Sequence, residues 1–337
     1  MGTSLGYVTE RFVIFLATVV ISVTAVFFVP HFLPGNPLGA INVKLSRVGG
    51  GGNNQLILEA YRHRFGLDRS LGAQYVSYLR QLAHGDLGYS ISSFPTRVST
   101  KIWSALPWTL GLVGVTTVIS WLLGSLLGAV VGWSGGRSRL LQGLVPVSLL
   151  LYTTPYFILA IVLSYLFAFR WPVFPLAGAY SVGRTPEYSL DFAWDVIKHG
   201  TLPALSIILV SLGWWFLSMR SLIIAEKGQD YILWAESKGL QRGKIFWGYA
   251  LRNALLPQAT GLALSLGSIV SGALITEVIY GYPGLGFLVY TSITSVDYPV
   301  IQGAVLLIIL SVALANFAID MLYPFIDPRI RAGGGGN

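Results

Sequence analysis

FVIFLATVVISVTAVFFVPHFL, residues Phe12–Leu33, holds 22 residues without a single charge. A helix crossing about 30 Å of hydrocarbon needs about 20 mostly apolar residues, so this stretch predicts a membrane span. Its competitor is a cleavable signal peptide. The run is too long for a signal core, and the turn sequence Leu33-Pro34-Gly35-Asn36-Pro37 that follows lacks small cleavage-site residues, which favours an anchor. Five further apolar runs lie at about Leu106–Trp133, Leu140–Phe169, Leu202–Ile224, Leu255–Tyr280 and Val300–Tyr323. The expected fold class is an all-α membrane protein with six transmembrane helices.

Composition agrees. Of the 337 residues, 54% are hydrophobic and 11% charged, against roughly 25% charged in a soluble domain, and mean hydropathy is +0.66. Too little polar surface remains to coat a soluble globular enzyme, and disorder needs the opposite balance. The net charge of +8 reads as cytoplasmic loop charge rather than a nucleic-acid surface. With no Cys and four scattered His, the sequence predicts no disulfide, thiolate metal site or His-rich metal centre.

The basic residues separate by side. Arg11, Arg137, Arg139, Arg220, Lys227, Lys238, Arg242, Lys244, Arg252, Arg329 and Arg331 fall on one side. The short loops of the other side hold only Arg184 and Lys198, with Arg170 at a border, beside Glu187, Asp191, Asp195 and Asp297. The positive-inside bias then puts both termini in the cytoplasm. Residues 34–105 become a long external segment, whose basic residues do not count because loops of that length translocate largely regardless of charge.

Within that segment the run Gly49–Gly52 reads as a flexible spacer, followed by helical spacing over about Gln55–Phe65 and Leu71–Ala83. Leu71, Tyr75, Tyr78, Leu79 and Leu82 fall on one face, Gly66 suits the end of the first helix, and Asp68 or Ser70 suits the cap of the second. Such a pair fits a cover over a pathway or a seat for a soluble partner, and equally a lid packed on its own membrane helices. No internal repeat supports an inverted-repeat carrier.

Residues 225–254 form a cytoplasmic connection that mixes charge with apolar residues at helical spacing. Asp230 suits the cap of a short helix running through Tyr231, Trp234, Ala235, Glu236 and Ser237 to Lys238, and Gly239 before Leu240 suits the left-handed turn that ends it. A second helix then returns to the membrane. The pattern predicts an elbow projecting from the bilayer, with small Ala235 and Ser237 letting another protein approach. An amphipathic pair lying on lipid headgroups is the competing reading.

At these residues the chain resembles the permease subunits of ATP-binding cassette importers, in the dipeptide, oligopeptide and nickel group. Asp230-Tyr231 through Ala235, Lys238-Gly239-Leu240 and Leu251-Arg252-Asn253-Ala254-Leu255-Leu256-Pro257 is similar to that group's cytoplasmic signature. Other similar segments follow in the same order: Leu33–Pro37, Gly66-Leu67-Asp68, Gly85–Ser90, Leu106-Pro107 with Thr109-Leu110, and Pro175 with Gly178. The series ends with Glu277–Gly286, Asp297-Tyr298-Pro299-Val300, Asn316 with Asp320 and Tyr323, and Asp327–Arg331. Glu236, Ser237 and the Thr153-Thr154-Pro155 triplet depart from the usual pattern. The resemblance implies one permease domain over residues 1–337 in a prokaryotic inner membrane, with the elbow as a coupling helix seated on an ATPase. It also implies a second homologous permease, two ATPase subunits and an external substrate-binding protein.

The phosphate-cradling Gly-x4-Gly-Lys-[Ser/Thr] pattern is missing. Around Gly243-Lys244, Lys238 stands where the first Gly is needed and Ile245 where the hydroxyl is needed. Catalytic and cofactor-binding residues are therefore expected on other chains, with ATP and Mg²⁺ on the partner subunits. Alternating access driven by those ATPases is the implied mechanism.

Charge at membrane depth costs about 2.5 to 3.5 kcal/mol, which marks the few such residues as pathway candidates. Arg220 and Asp320 lie near cytoplasmic ends and can snorkel. Glu277 precedes the break at Gly281 and Pro283, where a structural hydrogen bond to freed backbone competes with a gate role. Trp214, Trp215 and Pro155 complete the candidates. The resemblance favours di- or oligopeptide cargo, with oligosaccharides or a nickel chelate as alternatives. A stand-alone channel or secondary carrier is supported only by the polytopic composition. A membrane enzyme would need Glu187, Asp191 and Asp195, whose spacing of four equally puts exposed acids along one helix face.

Overall fold

A computed structural model of the chain describes residues 5–32, 35–47, 54–135, 138–267, 269 and 273–326. Among them every regular element is a helix, joined by one isolated antiparallel bridge between Tyr89 and Arg97. Four helices among the described residues are long and apolar enough to cross a membrane, or five when a bent pair counts as one span. The protein is an all-α membrane protein. Arg137, the glycine run 49–52, Leu33-Pro34, the segment Asp327–Arg331 and the Gly-rich tail lie outside the described residues.

The chain divides into two compact units, residues 1–108 with 284–337, and residues 109–283. In the first, α1 (Leu5–Phe32) packs along α14 (Tyr298–Ile326). Their seam buries Val23, Val26 and Leu306, and the Arg11 guanidinium lies 3.4 Å from the Asp320 carboxylate, so that Asp320 has an ion-pair partner. The segment that follows α1 forms α2 (Pro37–Arg47), α3 (Asn54–Arg64) and α4 (Leu71–Ala83). Gly66, at φ +63°, follows α3, and the Ser70 side chain accepts from the Ala73 amide to cap α4. The predicted apolar face of α4 is only partly used. Tyr75 and Tyr78 pack with tilted rings against Phe27, and Tyr78 and Leu82 join the α1–α14 seam, whereas Leu71 and Leu79 stay exposed. α13 (Leu285–Thr294) completes this unit.

α5 (Val98–Ser134) begins in the first unit and runs into the second. The predicted third span breaks at Thr154-Pro155 into α6 (Arg139–Thr153) and α7 (Tyr156–Ser164), which continues as a π-helical turn to Arg170. The two halves meet at 98°. Pro155 has no amide hydrogen to donate, and the Thr154 backbone before it is extended, as a residue preceding proline prefers. α8 (Leu190–Lys227) is 38 residues long, opened by the Ser189 side chain accepting from the Phe192 amide. After it come α9 (Asp230–Ser237), α10 (Arg242–Ile245), a π-helical turn over Phe246–Ala250, α11 (Leu251–Gly267) and α12 (Leu274–Ile279). Residues 268 and 270–272 of the predicted fifth span lie outside the described residues.

Glycine decides how closely these helices approach. Gly124, Gly128 and Gly132 form a stripe on α5 against α8. A Cβ at Gly124 would lie 2.6 Å from Trp215 Cβ, one at Gly132 2.9 Å from the Arg220 carbonyl, and one at Gly128 would collide with the Phe216 carbonyl. On α8, a Cβ at Gly213 would lie 2.5 Å from the Ser148 carbonyl of α6. Without a hydrophobic drive between helices in lipid, such backbone proximity is a main source of association.

Candidate functional site

The connection from α8 to α11 is organised by its buried side. Ile232 and Ala235 of α9, Ile245 of α10, and Phe246, Ala250, Leu251 and Ala254 after it pack with Ala129 of α5 and Met219 and Ile223 of α8. Two cations tie the connection to the C-terminal end of α5, where carbonyls lack helical partners. Lys227 Nζ donates to the Gly132 carbonyl at 2.9 Å and Arg242 donates to the Trp133 carbonyl at 3.2 Å, both lying over the Trp133 ring. Asn253 donates to the Tyr231 hydroxyl at 2.8 Å, linking α9 to α11.

The predicted roles shift in detail. Gln229, not Asp230, precedes the first turn of α9 and makes no side-chain cap; Asp230 is the first helical residue, where a negative charge complements the helix dipole. Gly239 takes the left-handed conformation at φ +73°. Ala235 is only 4% exposed and faces the chain's own core, so it offers nothing to a partner. The outward face consists of Leu233, Trp234 (68% exposed), Glu236, Ser237 and Lys238, with the Ser237 hydroxyl donating to the Trp234 carbonyl. Leu240 is half-buried against the cluster.

Glu277 is fully buried in α12, and its Oε1 accepts from the Thr109 hydroxyl of α5 at 2.7 Å. Tyr280, at the end of α12, donates to the Ala160 carbonyl of α7 at 2.9 Å, and its own carbonyl accepts from Gly178. These bonds tie α12 to α5, α7 and the 171–189 loop. Trp214 and Trp215 separate: Trp214 is 51% exposed beside Tyr152, whereas Trp215 is 6% exposed and wedged between Gly124 and Gly261.

The acids Glu187, Asp191 and Asp195 do not share a helix face, because Glu187 precedes α8. Glu187 accepts from Ser189 and Arg184, which hold its carboxyl below the ordinary carboxylate range. Asp195 accepts from the Ser181 amide and hydroxyl. Among the described residues no group of three or more His, Asp or Glu is arranged to hold a metal.

Three features escaped the sequence reading. Asp297 stood inside a quoted motif with no role; it is fully buried and accepts from the Ile91 and Ser92 amides, both at 3.0 Å, and from the Ser90 and Ser92 hydroxyls. The glycine stripe carried a visible signal, its spacing of four. The Lys227 and Arg242 caps carried none, since their acceptors are backbone atoms about 100 residues away.

The family profile described as binding-protein-dependent transport system inner membrane component matches residues 122–332, from the middle of α5 through α14. The chain belongs to this family. It is 32% identical over 326 residues to the probable D,D-dipeptide transport system permease protein DdpB of Escherichia coli, covering 92% of each chain. It is 29% identical to the dipeptide transport system permease protein DppB of Alkalihalophilus pseudofirmus and 30% identical to the di/tripeptide permease DppB of Pseudomonas aeruginosa, covering 97% of this chain and 99% of each relative. The protein is thus a multi-pass inner-membrane permease component of a binding-protein-dependent ABC transport system.

Proposed function

We propose that the chain forms half of an import pathway for di- or oligopeptides, paired with a second homologous permease, fed by an external binding protein and driven by two separate ATPase subunits that carry ATP and Mg²⁺. In this reading the whole chain is one permease domain with six crossings: α1, α5, the bent α6–α7 pair, α8, the α11–α12 pair and α14. Both termini are cytoplasmic, residues 34–105 are external, and residues 225–254 are the coupling loop. The relatives named for dipeptide transport support the cargo.

The observation that carries the coupling role is the two-sided build of α9. One side is buried with α5 and α8, so a push on α9 reaches two long helices directly; on the other, Leu233, Trp234 and Lys238 are exposed among the described residues. Exposed apolar side chains ringed by charge suit a protein partner.

The test is ATP-driven uptake of a labelled dipeptide into proteoliposomes holding the assembly purified through this chain. Trp234→Ala and Leu233→Asp change exposed positions, so the variants should keep the wild-type melting midpoint and lose uptake and binding-protein-stimulated ATPase activity at least about 10-fold, as loss of an interface anchor does. Full activity in both variants, or dipeptide flux through this chain alone without ATPases, would overturn the reading.

A further inference from the structure

Several motif segments of the external region play no part in coupling, yet the fold brings three of them to one cavity in the first unit. Gly66-Leu67, Asp86 through Tyr89, and Tyr298-Pro299 all line a cavity of about 320 Å³. Its base is the outer end of α1, at Phe27 and His31, and the first turns of α14. The Asp297 carboxylate holds this wall together, because it grips the backbone of Ile91 and Ser92 directly before Tyr298.

The wall carries two arginines and one acid, Asp86. Arg64 and Arg69 both line the cavity, and among the described residues neither has a carboxylate within 4.0 Å. The Arg64 guanidinium instead sits over the Phe94 ring, 6.0 Å from its centroid. The nearby acids are engaged: Asp68 pairs with His63 at 2.8 Å, and Asp86 accepts from the Gly88 amide at 3.0 Å. In the same wall the Tyr78 hydroxyl is buried and has no hydrogen-bond partner. Burial, and secondarily Tyr75 beside it, pushes the Tyr78 phenol up to about 12, so it stays a neutral donor. A buried orphan donor costs about 1 to 3 kcal/mol unless something occupies the space before it.

Position narrows the occupant. The uncharged part of α1, Phe12–Phe32, makes about 32 Å of helix against about 30 Å of hydrocarbon, so its last turn lies at the boundary with the headgroups. Val29 and Phe32 are exposed there and offer acyl chains a surface beside the cavity. Aromatic walls and guanidinium groups at that depth are the usual partners of a lipid phosphate. At about 30 Å³ per water, the volume holds roughly ten non-hydrogen atoms, the size of a phosphoglycerol headgroup.

We propose that this cavity is a phosphate site, read by Arg64, Arg69 and the Tyr78 hydroxyl and filled by a phospholipid headgroup of the outer leaflet. A soluble phosphate shares the recognition chemistry and is a separate arm of the test.

The full chain is purified in a phosphate-free maltoside detergent and given dioleoylphosphatidylglycerol, dioleoylglycerol with the same tails and no phosphate, or inorganic phosphate. Thermal midpoint and lipid retained in native mass spectrometry are read. The expected result is a midpoint rise of roughly 3 to 5 °C with phosphatidylglycerol and none with dioleoylglycerol. Arg64→Gln with Arg69→Gln should lower retention about 10-fold or more, and the paired Lys substitutions should restore part of it. Tyr78→Phe separates binding from folding: it should leave the lipid-free midpoint unchanged or raised, since its hydroxyl has no protein partner, while lowering retention. The same rise with inorganic phosphate, lost in the Gln pair, supports the site with a soluble source. No rise in either phosphate arm, or a rise and retention unchanged in the Gln pair, overturns the proposal.

Discussion

Replacing Gly128 by Ala adds one methyl group where α5 meets the backbone of α8. At the neighbouring Gly124 the geometry gives the scale: the new carbon would stand 2.6 Å from Trp215 Cβ and 2.9 Å from the Leu212 carbonyl. Comfortable carbon separations are about 3.5 to 4.0 Å, so the helices must part by about 1 Å. A gap of that size forfeits a quarter to a half of each facing dispersion contact, and overpacking of this kind costs about 1 to 3 kcal/mol. Gly128 is the tighter site, because its methyl would meet the Phe216 carbonyl, which cannot rotate away. Gly128→Ala should therefore cost the upper part of that range, Gly124→Ala and Gly132→Ala less. The triple variant should cost less than the sum, since one separation relieves all three clashes. Gly200→Ala on α8 is the control: nothing lies within 4 Å of its would-be Cβ, and alanine's helix preference makes it neutral or favourable by up to about 1 kcal/mol. Unfolding of the purified chain in mixed micelles, followed by tryptophan fluorescence, measures each change. Because Ala129 lies in the seam and in the cluster under α9, the parted variants should also lose ATPase stimulation. If Gly128→Ala unfolds like Gly200→Ala, or if the three costs simply add, the argument from backbone proximity fails.

Asp297→Ala strands the Ile91 and Ser92 amides and should cost about 3 to 5 kcal/mol, with Asp297→Asn intermediate; protease cleavage within residues 85–97 reports it. Glu277→Gln keeps an acceptor for Thr109 and should retain fold and transport, whereas Glu277→Ala should lower stability by about 1 to 3 kcal/mol; loss of uptake in a stable Gln variant would instead support a gate role. Glu187 has its carboxyl held below the ordinary 4.5, so its contribution is complete above about pH 5 and fades as pH falls through the lowered value. Exchange at the Phe192 amide, which donates to Ser189, should quicken only on that acidification, less so in Arg184→Gln, and high salt should weaken the effect.

Much of the architecture was legible in one dimension. Lipid forces helices to satisfy their own backbone and to be apolar over about 20 residues, which is a local rule. The helices α3 and α4, the Ser70 cap and the turn at Gly66 were legible for the same reason: each depends on neighbours within a few residues. The bend at Pro155 was half legible, since proline announces a break but not its 98° angle, which depends on what α7 packs against. The candidate site was legible as a segment and misleading as a surface. Helical spacing locates Trp234 and Ala235 next to each other, but which of them meets the chain's own core depends on where α5 and α8 stand.

The sequence by itself determined the solvent, the helical class, the family and the position of the connection between α8 and α11, because composition, apolar run length and short-range turn chemistry act without knowledge of the fold. Only the tertiary structure decided that Ala235 is buried, that Glu277 meets Thr109, that Asp297 grips a loop about 200 residues earlier in the chain, and that Arg64, Arg69 and Tyr78 share one cavity. A hydrogen bond or a packed methyl group is short-ranged in space and indifferent to sequence separation, so these partners become definite only once the helices are packed.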